Sequence, residues 1–312
     1  MNRLIVMFGG SGFLGRYIAQ ELLSTGVRVR FAERDPRRAW FLKPLGEIGQ
    51  TQFVAADITR KDSVTRAVQG ADAVINLVGV LDGSFQKIHV DGARNVAEAA
   101  ASAGATAFVH VSALGADAKS ESNYGRTKGE GEAAVRAAFP AATILRPSII
   151  FGPEDQFTNR FAGLIRALPI LPIIRGAARF QPVYVCDVAR AAAQALLDPT
   201  GHASKTYELG GPEILSMAEI NRWLEKATGR DRIEIAVPDC VAGPMARLFG
   251  WAPGAPITWD QWQMLQRDNI VADAAEGFSA FGITATALDA VAQNWLVKYR
   301  HLGRFRADRS TA

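Results

Sequence analysis

A chain of 312 residues, 48% hydrophobic and 21% charged, has the profile of a folded globular protein of one large domain or two modest ones, not of a disordered or fibrous one. No apolar run approaches the roughly 18 residues of a membrane-spanning helix, because the longest candidate, residues 164–174, is broken by Arg166, Pro169 and Pro172. The net charge of +4 resides in the C-terminal tail, where Lys298, Arg300, Arg304, Arg306 and Arg309 face only Asp308, and the neutral body argues against a nucleic-acid-binding surface.

In the first half of the chain, short β-branched runs alternate with longer helical patterns, the order of a parallel sheet wound by helices. Strands are expected at 4–8, 27–32, 52–55, 73–78, 107–111 and 143–146. Between them, Ala, Leu and Val recurring at three- and four-residue intervals predict helices at 13–24, 61–68, 85–103 and 123–139. After Pro147, prolines at 153, 169, 172 and 182 interrupt this rhythm. It returns with a strand end and an Ala-rich helix over 183–197, and with a short strand over 206–209 closed by Gly210, Gly211 and Pro212. The expected fold is therefore α/β, with a Rossmann-type doubly wound parallel sheet from 1–150 plus 183–210. Residues 151–182 plus 211–312 would form a smaller, discontinuous C-terminal α/β lobe ending in the basic tail.

Directly after the first strand come Gly9, Gly10, Gly12 and Gly15, followed by an amphipathic helix. Glycines in this position let the backbone turn tightly and let a pyrophosphate approach, while the helix offers its free N–H groups. Gly9, Gly12, Phe13, Leu14, Gly15 and Arg16 are accordingly expected to hold a dinucleotide. At the end of the second strand an acid would accept from a ribose 2′-OH, whereas an arginine would pair with a 2′-phosphate. Glu33 and Arg34 stand there, followed by Arg37 and Arg38, and with Arg16 they favour NADP(H) while Glu33 leaves NAD(H) open. Arg37 and Arg38 would equally suit a solvated helix face. Asp57 and Ile58 after the third strand, and Asn76, Val78 and Gly79 after the fourth, lie at the sheet edge where such folds bind ligands.

Ser112 at the end of the fifth strand, Tyr124 twelve residues on and Lys128 four beyond it form the candidate catalytic set. An i, i+4 pair shares one helix face, so Lys128 could lie beside the Tyr124 phenol and lower its pKa. Tyr124 could then exchange a proton with a substrate oxygen held by Ser112, while Lys128 also held the cofactor ribose. The four histidines show no ligand spacing, and no metal site is expected. Cys186 and Cys240 stand alone, and the apolar run at Leu4–Phe8 is too short for a signal-peptide core, so a cytoplasmic location is expected. Between Val241 and Leu265 only Arg247 and Asp260 are charged, and Trp251, Trp259 and Trp262 occur. These aromatics suit core packing, or else a membrane or partner surface.

The glycine spacing, the Asn76 to Gly79 stretch, Ser112 and the Tyr124/Lys128 pair resemble the extended or atypical short-chain dehydrogenases/reductases. Within that superfamily the chain is most similar to the nucleotide-binding accessory subunits of respiratory complex I and their bacterial relatives. The matching stretches are Phe8 to Tyr17, Val111 to Ala116, Leu145 to Ser148, Phe151 to Asp155, Asn159 to Phe161, Phe180 to Val185, Asp187 to Ala189 and Tyr207 to Pro212, with Asp268 to Val271 weaker. The resemblance implies NADP(H) held tightly without turnover, in a subunit docked on complex I, peripheral to the inner face of the respiratory membrane. The basic tail would meet partner subunits or that membrane surface. An intact Ser112, Tyr124 and Lys128 keep a second reading open, an NAD(P)-dependent reductase, epimerase or dehydratase acting on a carbonyl or sugar-nucleotide substrate. A third reading is a redox sensor whose cofactor occupancy alters partner binding.

Overall fold

The computed structural model describes residues 3–252 and 257–301. Contacts divide the chain into two units, the first made of residues 1–147, 185–210 and 271–284 and the second of 148–184, 211–270 and 285–312.

The first unit is built on seven parallel strands. They are β1 (Leu4–Phe8), β2 (Arg28–Glu33), β3 (Thr51–Ala55), β4 (Ala73–Asn76), β5 (Ala107–Val111), β6 (Thr143–Pro147) and a last strand, Thr206–Leu209. From one edge to the other the order is Thr206–Leu209, β6, β5, β4, β1, β2, β3. Every residue of β1, β4 and β5 is buried, as parallel strands covered on both faces require. Helix α1 (Phe13–Ser24) turns Ile18, Ala19, Leu22 and Leu23 inward and packs on the Ala-rich helix Val185–Leu197. On the other side α2 (Lys61–Val68), α3 (Ala93–Ser102) and α4 (Asn123–Ala138) pack in sequence, enclosing Val6, Phe8, Val64, Val96, Phe108 and Val135.

Several boundaries differ from those read off the pattern. Segment Val271–Thr284, expected in the small lobe, packs in the first unit. Glu208 of the last strand takes the Ala272 N–H at 3.0 Å and its own N–H donates to Glu276 O at 2.9 Å. The Phe281 ring lies 4.5 Å from both His202 and Tyr207. The helix expected at 85–103 begins as a π-helical stretch, Gln86–Gly92, before α3. A 3-10 helical stretch, Pro36–Leu45, follows β2 where the pattern showed no element.

The second unit pairs Val183–Tyr184 with Ile150–Phe151 and Ile233–Val237 with Ile170–Ile174, both parallel, and Leu215–Ser216 with Arg179–Phe180, antiparallel. Helix Met217–Thr228 carries a capping box at Ser216 and Glu219 and ends on Gly229 at φ 62°, and its Ile220 and Leu224 join Phe151, Leu171, Leu288 and Leu296 in the core. The tryptophan-rich segment is split. Trp262 is buried with Ala242, Ala246 and Ile257, whereas Trp251 is 81% exposed and Leu248, Phe249 and Trp259 also face outward. Glu225 is buried with Oε1 unpaired among the described residues, and burial together with the Glu234 and Asp231 charges pushes its carboxyl above the usual range. The ionised form therefore costs folding free energy, a cost that vanishes as pH falls below the unfolded-state pKa. Glu225→Gln is expected to stabilise the chain at pH 8 by about 1 kcal/mol and to have no stabilising effect near pH 3, measured by urea unfolding.

Candidate nucleotide site

The loop between β1 and α1 places each glycine for a separate reason. Gly9 sits at φ 83°, a left-handed conformation that other residues rarely adopt. A Cβ on Gly15 would lie 2.6 Å from the carbonyl oxygens of both Gly9 and Gly10, so that glycine lets α1 seat against the loop. Gly12, the exposed N-cap of α1, has only the Gly9 oxygen within 4 Å of an added Cβ, at 3.2 Å. The exposed backbone at Gly12, beside a helix start with no side-chain cap, is a cradle that fits a pyrophosphate. Phe13, Leu14 and Arg16 occupy the first turns, Phe13 edge-on to Tyr17 and Arg16 over the Phe41 ring at 5.0 Å.

At the end of β2, Glu33 accepts the Ser11 N–H at 2.7 Å, so one carboxylate oxygen braces the glycine loop itself. Arg34 is exposed just beyond, whereas Arg37 is held by Asp35 at 3.0 Å. Asp57 caps its own turn, accepting the Thr59 N–H at 2.9 Å and the Thr59 hydroxyl at 2.8 Å. Burial would raise its pKa, but those bonds and the Arg34 and Lys87 charges hold it below the usual range. Ile58 is buried, and its carbonyl accepts from Asn95 of α3 at 2.9 Å.

The edge formed by β4 and β5 carries the remaining candidates. Asn76 is fully buried, accepting from Val78 N–H at 3.1 Å and donating to His110 Nδ1 at 3.4 Å. That assigns the His110 proton to Nε2, which is buried without a partner among the described residues. Ser112 Oγ is likewise buried and unpartnered among the described residues. A buried hydroxyl left free at a strand's C-terminal end is suited to a ligand oxygen. Helix α4, capped by Ser122, presents Tyr124 and Lys128 one turn apart. Lys128 is 5% exposed and donates to the Val111 carbonyl at 2.9 Å. Burial pushes its ammonium down to about 8, against an opposing pull from Glu132.

Sequence reasoning missed His89. The Val80 N–H donates to His89 Nε2 at 3.0 Å, and His89 Nδ1 meets Thr127 Oγ1 at 3.0 Å. Because the Thr127 hydroxyl already donates to Asn123 O at 2.7 Å, the imidazole is the donor to Thr127 and is neutral. Burial and the Lys128 charge push its pKa down to about 4. Its ring lies edge-on to Tyr124 at 5.5 Å, and a Cβ on Gly79 would lie 3.7 Å from His89 Nε2 and 3.8 Å from Lys128 Nζ. The site thus gathers Gly79, His89, Tyr124 and Lys128. No spacing in the sequence marks His89, because only the π-helical stretch and the close approach of α4 at Gly131 bring it there.

One expectation is overturned. Lys128 does not lower the Tyr124 pKa, since its ammonium is committed to the Val111 carbonyl and burial pushes the phenol up to about 12. Among the described residues, no group of three or more His, Cys, Asp or Glu side chains is placed to hold a metal ion.

Comparison with known proteins extends the geometry. The chain is 32% identical over 299 residues to the mitochondrial NADH-ubiquinone oxidoreductase 40 kDa subunit of Neurospora crassa, covering 94% of this chain and 79% of that one. It is 36% identical over 191 residues to a ceramide reductase of Caulobacter vibrioides, covering 60% of this chain and 58% of the other. The fold superposes on an NADPH-dependent quinone oxidoreductase of Escherichia coli complexed with NADPH, with a TM-score of 0.74, 21% identity, and coverage of 93% of this chain and 99% of that chain. Residues 5–210, which span the glycine loop, the Ser112, Tyr124 and Lys128 set and the last strand of the sheet, match the NAD dependent epimerase/dehydratase family, and the chain belongs to that family.

Proposed function

We propose that the chain is an accessory subunit of a respiratory NADH:ubiquinone oxidoreductase that holds NADP(H) as a structural cofactor. Similarity to the fungal 40 kDa subunit over nearly the whole chain supports the partner. The observation that carries the structural role is the state of the Tyr124/Lys128 pair. A phenol raised to about 12 by burial and an ammonium bound to Val111 O make Tyr124 a poor proton acceptor near neutrality, which favours a holding role for the pair. They remain suited to gripping a ribose, with Gly9, Gly12 and Gly15 under the pyrophosphate, Asp57 and Ile58 beside the adenine, and Asn76, Val78 and Gly79 along the nicotinamide half. NADP(H) is preferred over NAD(H) because Glu33, the acid that would accept from a ribose diol, is drawn into the loop by Ser11 while Arg34 stays open.

In this reading the protein sits peripherally at the inner face of the respiratory membrane. No helix of the described residues is long and apolar enough to cross a membrane. A contact through the basic tail is part of the proposal, although residues 302–312 lie outside the described residues.

Purification in mild detergent, followed by denaturation, should release NADP(H) in stoichiometric amount from a fraction that also contains complex I subunits. A soluble, nucleotide-free protein with no such partners would sink the proposal. Tyr124→Phe should leave respiration within about twofold of wild type.

The free Ser112 hydroxyl favours a second reading, a turning-over reductase. A bound nicotinamide would supply hydride to a carbonyl carbon. Ser112 would hold the carbonyl oxygen and Tyr124 would give it a proton, so Tyr124→Phe would abolish turnover and leave cofactor affinity intact.

A further inference from the structure

A cavity of about 320 Å³ at the C-terminal end of β3 is lined by Arg34, Arg60 and Arg66 with Asp57, Ser63, Ala55 and Ala56. Arg60 is the N-cap of α2 and Arg66 lies in its last turn, so with Ser63 between them the three recur along one side of the helix. Ser63 Oγ accepts the Asp57 N–H at 2.9 Å, and the Asp57 carboxylate is turned to Thr59, so the one acid of the lining serves its own loop. Among the described residues none of the three guanidinium groups is ion-paired, in contrast to Arg37, which Asp35 holds. Three guanidinium groups around one cavity repel one another unless an anion lies between them, and their planar N–H forks match the oxygens of a phosphate.

We propose that this cavity is a phosphate-monoester site in which Arg60 and Arg66, contributed by the α2 side, join Arg34 as the clamp that selects a 2′-phosphorylated adenosine ribose. The proposal rests on the dinucleotide reading above and moves the selectivity away from Arg16, Arg37 and Arg38, the basic residues nearest in sequence to the glycine loop and β2. A phosphate monoester is close to doubly charged at neutral pH and offers three acceptor oxygens. A ribose 2′-hydroxyl offers neither the charge nor the reach, so the clamp should leave NADH affinity unaffected.

The full chain, stripped of nucleotide and refolded, is titrated with NADPH, NADH and inorganic phosphate by calorimetry. Arg60→Ala and Arg66→Ala are each expected to weaken NADPH about tenfold, and the double variant by thirtyfold or more, while NADH affinity stays within about twofold. Arg37→Ala should change neither. A double variant that keeps the wild-type ratio of NADPH to NADH affinity overturns the clamp while leaving the dinucleotide reading in place. If the wild type binds neither dinucleotide, that reading fails separately. Inorganic phosphate binding that the double variant loses would then uphold a phosphate site with a different ligand, and its absence would overturn the site altogether.

Discussion

Gly12→Val should lower dinucleotide affinity by at least about a hundredfold with no loss of fold, whereas Gly15→Val should unfold the nucleotide unit. The two glycines are three residues apart and read alike in the sequence, but their surroundings are opposite. Gly12 has φ −74° and ψ 176°, which any residue adopts, and an added Cβ would meet only the Gly9 oxygen at 3.2 Å. A valine there projects into the space over the start of α1, where the pyrophosphate must approach to meet the helix N–H groups. At Gly15 the Cβ would lie 2.6 Å from two carbonyl oxygens and 2.7 Å from Gly10 Cα, all backbone, so the helix must lift off the loop. Overpacking of this kind costs about 3 kcal/mol or more. Circular dichroism melts and NADPH titration distinguish the two. Equal melting temperatures for both variants, or retained NADPH binding in Gly12→Val, would contradict the assignment.

Lys128→Met is expected to stabilise the protein at pH 7 by about 2 kcal/mol and to weaken nucleotide binding at least tenfold. Burial pushes the Lys128 pKa from an ordinary 10.5 down to about 8, so folding costs this ammonium about 3 kcal/mol. Its bond to Val111 O returns about 1 kcal/mol, which leaves a net gain when the charge is removed. The sign follows from linkage. Below about pH 8 the lysine is charged in both states and the folded state bears the whole penalty; between about 8 and 10.5 only the unfolded state is charged, and the penalty fades. Wild-type stability should therefore gain on that of the variant as pH rises from 8 to 10. Above that range Tyr124 works the other way, because its folded pKa of about 12 lies above its ordinary 10 and its contribution is lost between those values. Urea unfolding of both proteins from pH 7 to 10 measures the difference. A variant no more stable than wild type at pH 7 would show that the buried ammonium is not a stability cost. A group that weakens the fold yet is needed for binding fits a site kept for its ligand.

The strand and helix pattern of the first half could be read directly because its information is local. Continuous apolar runs mark strands covered on both faces, three- and four-residue repeats mark the helices, and a glycine cluster between the first strand and the first helix marks the phosphate turn. Ser112, Tyr124 and Lys128 were also legible, since a strand end and a helix repeat suffice to place them at one edge of the sheet.

The direction in which those side chains act was decided elsewhere. Lys128 turns to Val111 because that carbonyl, brought up by β5, is the acceptor it meets once buried, and burial decides the Tyr124 phenol, raising its pKa. His89 enters the site through the π-helical stretch and through Gly131, where an added Cβ would collide with the His89 carbonyl oxygen. Arg60 and Arg66 share a cavity with Arg34 only because α2 folds back beside β3. Segment Val271–Thr284 returns to the sheet by hydrogen bonds to Glu208 that span some sixty residues of chain. Trp262 is buried while Trp251 is exposed in a run of nearly uniform composition. Periodicity and spacing carry information over a few turns of chain, so they specify elements and the residues at their ends. Which donor finds which acceptor, and which charges are stripped of water together, depends on contacts between elements far apart in sequence, and those exist only once the chain is packed.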